Sequence, residues 1–342
     1  MHTVAYNVTM RIRVPPSQTS HFAESALNPR LFRHPDGITA VDTEYLHPGH
    51  AASHVIQDSG RAAFVDVGTN FSVPYLLSAL DALGIARDAV DYVFLTHVHL
   101  DHAGGAGKLL QELPNARAVL HPRGAPHMIE PAKLIAGSRA VYGEERFGKL
   151  YGELIPIPAA RVKVVEDGEQ YRLGGRELEL IHTPGHALHH YAVVDRAHAC
   201  IFPGDTFGIS YREMDSARGA FIAPATTPSQ FDPEQLVASI DRMVSYSPQA
   251  MYLMHFSRVT GVPRLAEMLK TQIHELVRIA RQHINAQDRY AAIRADMLEL
   301  WLGLAHEHAA PLSDAQIATV LESDLDLNTQ GLMVWLDRMK KG

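Results

Sequence analysis

The stretch Thr96-His-Val-His-Leu-Asp-His-Ala-Gly-Gly105 places three histidines and one aspartate within six positions, and two glycines follow after Ala103. The run that precedes it, Asp91 to Thr96, is short and rich in β-branched and aromatic residues, which indicates a buried strand. Residues 104–113 then carry leucines on one side and indicate a helix. The histidines therefore lie on a tight strand-to-helix loop, a common position for a functional site on a rigid scaffold.

Similar side chains return three times further along the chain. His182-Thr-Pro-Gly-His186, Pro203-Gly-Asp205 and Met254-His255 each follow a strand-like run. If these strand ends point to one edge of a sheet, the side chains meet those of the first loop. Histidine nitrogen and aspartate oxygen suit Zn²⁺ and other borderline divalent metals, and a carboxylate can bridge two ions. The sequence therefore predicts a metal site at a sheet edge.

Composition sets the broad class of the protein. The chain has 342 residues, 46% of them hydrophobic, which predicts one large domain with a sizeable core plus an appendage. Its net charge of −7 provides no basic field for nucleic acid or an anionic membrane. The single cysteine, Cys200, excludes an internal disulfide and a cysteine-rich metal site, and we expect it in the core. The N-terminus lacks a signal-peptide pattern and no run resembles a membrane span, so we expect a cytoplasmic protein.

The pattern of apolar residues divides the chain into three parts. Residues 1–36 are interrupted by prolines and are predicted to form an irregular arm. Residues 37–262 alternate strand and helix signals, with a final strand over Ala250 to Met254, and predict an α/β domain. Within this domain, residues 122–158 are apolar without a sheet pattern and predict a mostly helical insertion.

Residues 263–342 form the third part, where apolar residues follow the 3.6-residue period of a helix. Ser313-Asp-Ala-Gln316 is a capping box that opens the third helix of this module. Leu332 to Met339 is predicted to supply a fourth helix. The last two helices, residues 312–339, resemble the end of a winged-helix unit.

The order H-x-H-x-D-H, T-P-G-H, G-D and a late histidine resembles the metallo-β-lactamase superfamily over roughly residues 37–260. The resemblance implies an αββα sandwich with two metal ions at one edge of its sheets. Carried over position by position, it implies a first metal held by His97, His99 and His186, a second held by Asp101, His102 and His255, and Asp205 as the bridge.

The resemblance also covers residues outside this ligand set. Asp66, in Phe64-Val-Asp-Val-Gly68, resembles the aspartate that ends an early strand in the family. His190 lies where many relatives keep a histidine, which implies that it supports a metal ligand or contacts substrate. His189 has no such counterpart and is expected to be an exposed or loop histidine.

The presence of both Asp101 and His102 resembles the dinuclear hydrolase branch rather than the zinc β-lactamases that use a cysteine ligand. Two divalent ions lower the pKa of a bridging water, and the resulting hydroxide can attack a carbonyl or phosphoryl centre. Asp101 is expected to orient this nucleophile and relay a proton to the leaving group. Zinc is the favoured metal, and iron or manganese also suit nitrogen and oxygen ligands.

Thioester hydrolysis is the favoured activity, because the ligand order and the helical C-terminal addition resemble glyoxalase II and acyl-CoA thioesterase-like members. The basic glutathione-binding residues of glyoxalase II have no convincing match here, which favours an acyl-CoA. A lactone hydrolase and a di-iron protein that handles oxygen or nitric oxide are the alternatives.

Nucleic acid is not an expected partner. Residues 263–342 contain nine Lys/Arg and eleven Asp/Glu, a net charge of −2, whereas a nucleic-acid-binding face requires the opposite sign. We expect this module to pack against the catalytic domain or against the second subunit of a homodimer.

A small-molecule substrate would need a channel, and two segments are candidate walls. One is the loop Tyr45 to His54, whose His47, His50 and His54 could approach the metals or simply form a solvated turn. The other is the insertion 122–158, which as a lid would shield an acyl chain from water. For the anionic part of the substrate we expect a local basic cluster, with these candidates: Arg123, Lys133 and Arg139.

Overall fold

The computed structural model describes residues 28–226, 228 and 230–340 of the chain. Most of the predicted arm, residues 1–27, lies outside this part. Within the remainder of the arm, Leu31–Arg33 is a strand that pairs with Ile38–Asp42, so the prediction of a wholly irregular segment is wrong there. Among the described residues the strand has a partner on one side only, and such short edge strands carry little apolar pattern that could reveal them.

Seven strands of the described residues form the first sheet, in the order in which they occur along the chain. They are β1 (Leu31–Arg33), β2 (Ile38–Asp42), β3 (Ala52–Asp58), β4 (Arg61–Val65), β5 (Val90–Phe94), β6 (Arg117–Leu120) and β7 (Val162–Val164). Pairing is antiparallel from β1 to β4 and parallel from β4 to β7. Because β4 and β5 are parallel neighbours, Asp66 and His97 leave the same edge of this sheet.

Eight more strands follow β7 in the described part of the chain. They are β8 (Glu169–Leu173), β9 (Arg176–His182), β10 (Tyr191–Asp195), β11 (Cys200–Phe202), β12 (Ile209–Ser210), β13 (Ile222–Ala223), β14 (Ala250–Leu253) and β15 (Ser257–Thr260). Six of them form the second sheet in the order β15-β14-β11-β10-β9-β8, and β12 pairs with β13. Since β11 and β14 are parallel neighbours, Asp205 and His255 leave the same edge. The prediction that Ala250 to Met254 is the final strand is wrong, because β15 follows it as an edge strand.

Ten helices connect and cover the sheets within the described residues. They are α1 (Val73–Leu83), α2 (Leu100–Ala103), α3 (Ala106–Glu112), α4 (Ala125–Ile129), α5 (Ala132–Tyr142), α6 (Glu144–Tyr151), α7 (Pro233–Ser245), α8 (Val262–Gln282), α9 (Arg289–His308) and α10 (Asp314–Met339). The predicted helical insertion consists of α4, α5 and α6. No helix in the described part of the chain has both the length and the apolar character of a membrane span.

Three groups of buried side chains hold the layers together. Phe64 of β4 and Leu76 of α1 belong to the group between the first sheet and its helices. Phe94 and Phe202 belong to the group between the two sheets. Trp301 belongs to the group between the second sheet and the helices outside it. The order helix, sheet, sheet, helix confirms the αββα sandwich expected from the family resemblance.

The C-terminal helices belong to the outer layer of this sandwich. Met251 of β14 and Leu336 of α10 lie in one continuous apolar group, and α8 packs against α7, α9, α10 and β13. The helical module therefore shares its core with the second sheet instead of forming a core of its own.

One helix prediction in this module is wrong. The capping box at Ser313 opens α10 as expected, but α10 continues to Met339 without a break, so Leu332–Met339 is not a separate helix. Gly331 in the helix interior destabilises the helix by about 1 kcal/mol relative to alanine. Burial of Leu325, Leu332 and Leu336 on one face offsets this cost, so the helix continues through Gly331. An uninterrupted helix also leaves no turn for the expected winged-helix-like arrangement.

Candidate metal centre

The seven histidines and aspartates singled out in the sequence lie together at one edge of the two sheets. Each follows the carboxyl end of a strand: β5 leads to His97, β9 to His186, β11 to Asp205 and β14 to His255. Their nitrogen and oxygen atoms form two groups, each with its atoms within 4.8 Å of one another. One group is His97, His99, His186 and Asp205, and the other is Asp101, His102 and His255.

In the first group, three imidazole nitrogens face each other. Nδ1 of His99 lies 2.9 Å from Nε2 of His97 and 3.0 Å from Nε2 of His186. Oδ2 of Asp205 lies 3.6 Å from Nε2 of His186. Three nitrogens and one carboxylate oxygen around a common point are a donor set typical of a divalent transition metal.

In the second group, Nε2 of His255 lies 3.3 Å from Oδ2 of Asp101, and Nε2 of His102 lies 3.9 Å from the same oxygen. Asp205 connects the two groups, because its other oxygen, Oδ1, lies 3.1 Å from Nε2 of His102. One carboxylate therefore faces both groups, which is the geometry of a bridging ligand.

The outer ring nitrogens of the second group have acceptors that fix which nitrogen carries the proton. Nδ1 of His102 donates to the Asp66 carboxylate at 2.9 Å, and Nδ1 of His255 donates to the backbone carbonyl of His50 at 3.1 Å. In the first group, Nδ1 of His186 donates to the carbonyl of Ala225 at 2.9 Å. Each contact leaves the Nε2 lone pair free to face the centre of its group, as metal ligation requires.

Two buried atoms test whether the centre suits a cation. Among the described residues, neither Nε2 of His102 nor Oδ1 of Asp205 has a partner with hydrogen-bond geometry, although they lie 3.1 Å apart. Unpaired buried polar atoms are costly. A divalent ion between the lone pair and the carboxylate would satisfy both, so these residues fit a metal centre.

The electrostatics of the centre agree with this. Burial, and then the neighbouring His102 and His99 imidazoles, hold the pKa of His97 well below its usual value, so that its ring is neutral. Burial alone would lower the pKa of His102, but the carboxylates of Asp205, Asp66 and Asp101 raise it well above its usual value. The second group therefore favours a positive charge, which a divalent ion supplies.

Asp66 lies just behind this group. It is buried and has a left-handed backbone with φ of 52°, which aspartate tolerates better than most residues. Its carboxylate accepts hydrogen bonds from Thr96 N at 2.9 Å, from Thr96 Oγ1 at 2.8 Å and from His102 Nδ1. Asp66 thus orients a candidate ligand without facing the centre of either group.

His190 holds a different candidate ligand in place. Its Nε2 accepts a hydrogen bond from the backbone N–H of Asp205 at 3.2 Å, and its Nδ1 donates to Thr183 Oγ1 at 2.8 Å. The ring packs so closely on Gly204 that a Cβ there would lie 2.5 Å from Nε2 of His190. The glycine before Asp205 is therefore required for this approach.

His189 lies in the loop between β9 and β10, as one of the two expected alternatives had it, but its side chain is buried beside the centre, so the alternative of an exposed histidine is wrong. Its Nδ1 accepts from Val98 N at 3.4 Å, and its ring centre lies 5.8 Å from that of His99. In the loop from β9 to β10, the consecutive side chains of His189 and His190 are both buried. Neither helical nor strand periodicity in the sequence predicts the burial of two consecutive histidines.

The loop after β2 contributes His50. The His50 ring lies 5.1 Å from the His255 ring, whereas His47 is exposed and His54 is buried in β3. Asp42 holds this loop by accepting from Glu44 N at 3.0 Å and from Gly49 N at 2.7 Å. Of the three loop histidines, His50 is thus the one placed beside the candidate ligands.

The C-terminal helix also reaches the centre, which the sequence analysis missed. Asn328 of α10 accepts hydrogen bonds at Oδ1 from the backbone N–H and the hydroxyl of Thr226. Thr226 follows Ala225, whose carbonyl accepts from His186. One turn earlier on α10, buried Asp324 accepts a hydrogen bond from Tyr211 at 2.7 Å. Helix α10 therefore helps to position His186.

A family model of the metallo-beta-lactamase superfamily matches residues 46–255, more than half of the chain. The chain belongs to the metallo-beta-lactamase superfamily. Among solved structures of this superfamily, an archaeal member from Sulfolobus tokodaii has a TM-score of 0.61 at 22% identity and covers 87% of this chain and 99% of its own. The described helices α8 to α10 lie after residues 46–255, the range that the family model matches.

Three relatives are similar to this chain in sequence. A metallo-beta-lactamase fold-containing protein of Sulfurisphaera tokodaii is 29% identical over 184 residues, which are 53% of this chain and 65% of that protein. The hydroxyacylglutathione hydrolase of Aeromonas hydrophila is 31% identical over 153 residues, 44% of each chain. An acyl-coenzyme A thioesterase of Gallus gallus is 28% identical over 184 residues, 49% of this chain and 62% of that one. The matched regions span less than two thirds of these relatives.

Proposed function

We propose that the chain is a dinuclear metal-dependent hydrolase of thioesters, with an acyl-coenzyme A as the favoured substrate. The proposal rests first on the two groups of nitrogen and oxygen atoms that share Asp205. Divalent ions held there supply Lewis acidity toward a carbonyl oxygen and a lowered pKa for water. Zinc is the favoured ion, and the donor set suits iron and manganese as well.

Asp101 is the candidate ligand that we propose acts on the substrate's side of the centre. Its side chain is 21% exposed, against 7% for Asp205, so it borders the open side of the centre together with the partly exposed His99. Burial alone would raise the pKa of Asp101, but His102 and then the hydrogen-bonded His255 lower it well below its usual value. Asp101 is therefore a carboxylate at neutral pH, able to orient water and accept its proton.

Asp101 can return to the leaving group only the proton that it takes from water, so a leaving group that needs no strong proton donor is favoured. A thiolate is such a group, because a thiol has a pKa of about 8.5, whereas an alcohol leaving group needs a proton donor. The chain's own cysteine is not a candidate nucleophile. Cys200 is buried between the sheets, and burial, then Asp195, raises its pKa to about 12.

The relatives support the choice of thioester. The names of two relatives, hydroxyacylglutathione hydrolase and acyl-coenzyme A thioesterase, both describe the removal of an acyl group from a thiol carrier. Coenzyme A is favoured because the basic glutathione-binding residues of glyoxalase II have no convincing match in this sequence.

The test is a substrate panel with the full chain, stripped of metal and reloaded separately with zinc, manganese and iron. We expect release of free thiol from acyl-CoAs, faster than from acylglutathiones and absent in the stripped protein. Asp101→Asn should remove most of this activity. Turnover of a lactone without thiol release, or oxygen consumption by the iron form alone, would contradict the proposal in favour of that alternative.

A further inference from the structure

The helical insertion is built directly on the candidate metal loop. Leu100, which stands between His99 and Asp101, belongs to an apolar group with Phe147, Tyr151 and Leu154 of the insertion. Helix α6 thus rests on the residue that separates two candidate ligands. Any substrate that enters from this side meets side chains of the insertion first.

Three tyrosines lie where the insertion meets the loop after β2, and they are here called the phenol cluster: Tyr45, Tyr142 and Tyr151. The hydroxyls of Tyr45 and Tyr151 lie 3.1 Å apart, and the ring centres of Tyr142 and Tyr151 lie 5.5 Å apart. The Tyr45 ring lies 5.8 Å from the His50 ring, which in turn lies 5.1 Å from His255. The cluster is therefore continuous with the second group of candidate ligands.

Arg146 brings a positive charge to this cluster. Its guanidinium carbon lies 5.6 Å from the ring centre of Tyr142, and its side chain is half-buried. Burial and then the Asp101 carboxylate raise the pKa of Tyr45 and of Tyr142, while Arg146 lowers the pKa of both. The same two phenols thus lie within electrostatic reach of Asp101 and of Arg146.

Such a combination is suited to an anionic group. Neutral phenols donate hydrogen bonds, and a guanidinium presents a planar fork of N–H donors that matches a carboxylate or a phosphate. Charge-assisted hydrogen bonds of this kind are among the strongest that proteins use for recognition. A neutral acyl chain could not form such a charge-assisted contact with the guanidinium.

The basic residues predicted from the sequence do not lie in an equivalent place. Arg139 is exposed, pairs with Glu144 at 3.2 Å and stacks over Phe147 at 5.1 Å. Arg123 and Lys133 are exposed as well. Arg139 therefore serves as a matched control, since it is an arginine of the same insertion that lies over Phe147 and pairs with Glu144, whereas Arg146 lies over Tyr142.

We infer that Arg146, with Tyr45 and Tyr142, forms a subsite at the rim of the metal centre that binds an anionic group of the substrate. The inference rests on the proposed thioesterase function and refines it. The anion is a carboxylate at the far end of the acyl group or a phosphate of coenzyme A. Both groups have the same recognition chemistry.

The experiment compares Arg146→Gln with Arg139→Gln in the full, metal-loaded chain on four thioesters. These are adipoyl-CoA, hexanoyl-CoA, adipoyl-pantetheine and hexanoyl-pantetheine, of which the last lacks both anions. Arg146→Gln should raise KM by roughly ten- to a hundredfold wherever the recognised anion is present, because a charge-assisted contact is lost. A change on both adipoyl thioesters assigns the acyl carboxylate, and a change on both CoA thioesters assigns the phosphates. Arg139→Gln should leave every KM within about twofold.

Three results would overturn the subsite: an equal rise in KM on all four thioesters, no rise on any, or the same rise in Arg139→Gln. If the chain hydrolyses no thioester, calorimetric binding of adipate and of free coenzyme A replaces the kinetics. Binding that is salt-sensitive and lost in Arg146→Gln would keep the subsite while the thioesterase proposal fails. Binding that ignores the substitution, or its complete absence, would remove the subsite as well.

Discussion

Replacing Asp66 with asparagine tests how the structure prepares His102 for a metal. Asparagine keeps the size of the side chain and tolerates the left-handed backbone at this position. It offers one carbonyl oxygen where the aspartate offers two. If that oxygen keeps the hydrogen bond from Thr96 N, the amide N–H₂ faces Nδ1–H of His102, and two donors meet.

The magnitude follows from what His102 must do in response. The ring relieves the clash by moving its proton to Nε2, which removes the lone pair that faces Asp205, or by turning away. Loss of a partner behind a ligating histidine typically costs 10- to 100-fold in metal affinity. We therefore expect Asp66→Asn to weaken the second ion by about 1.4–2.7 kcal/mol. The first ion should be weakened less, because among the described hydrogen bonds its three histidines have none to Asp66, and only His97 is linked to it, through Thr96 Oγ1.

The assay is competition with a chromophoric chelator, which resolves two successive affinities for the full chain. The control is Glu179→Gln, which makes the same chemical change at a largely buried carboxylate that binds Arg196 and Tyr246 away from the centre. The control should lose some unfolding free energy and keep both metal affinities. Wild-type affinity for both ions in Asp66→Asn would refute the orienting role given to this carboxylate.

Further predictions concern the metals, the proton, the helical module and partners. Elemental analysis should find close to two ions per chain and at most one in His102→Ala, because the substitution removes a ligand of the second group. Asp101→Asn should keep the wild-type circular dichroism spectrum and lower kcat by roughly 100-fold or more, since proton transfer is lost. Asn328→Ala should cost about 1–3 kcal/mol in urea unfolding and weaken metal binding, because the buried N–H of Thr226 loses its acceptor. Residues 263–342, with their net charge of −2, should give the full chain no salt-sensitive affinity for duplex DNA in fluorescence anisotropy.

The candidate ligands could be found in the sequence because each one lies on a loop or short helix that follows a buried strand. The apolar run that ends at Phe94 is a local signal, and so is the short motif that follows it. Parallel pairing of β4 with β5 and of β11 with β14 then brings these strand ends to one edge, as α/β sheets generally do. Local patterns and one topological rule predict that these side chains meet, whereas their division into two groups with Asp205 between them was implied by the family resemblance.

The rim of the site could not be found in this way. Arg146 and Tyr142 flank the turn between two short helices, and their relation to Asp101 depends on how the insertion rests on Leu100. In the sequence, Arg139 is as good a candidate as Arg146, because both are single arginines in a helical segment. Only the packing separates them, since Arg139 turns to Glu144 while Arg146 turns to the phenol cluster.

Helix α10 shows a signal that was present in the sequence but could be interpreted only with the structure. Its apolar stripe runs through Leu321, Leu325 and Leu332, and helical spacing puts Asn328 in the same stripe. A buried amide among leucines needs a hydrogen-bond partner, and Asp324, one turn earlier, raises the same requirement. The partners, Thr226 and Tyr211, lie about a hundred residues away in the chain, on the segments around β12 and β13. A polar residue within the apolar stripe of a helix therefore predicts a specific polar neighbour. For Asn328 that neighbour is Thr226, which follows the Ala225 carbonyl that accepts from His186.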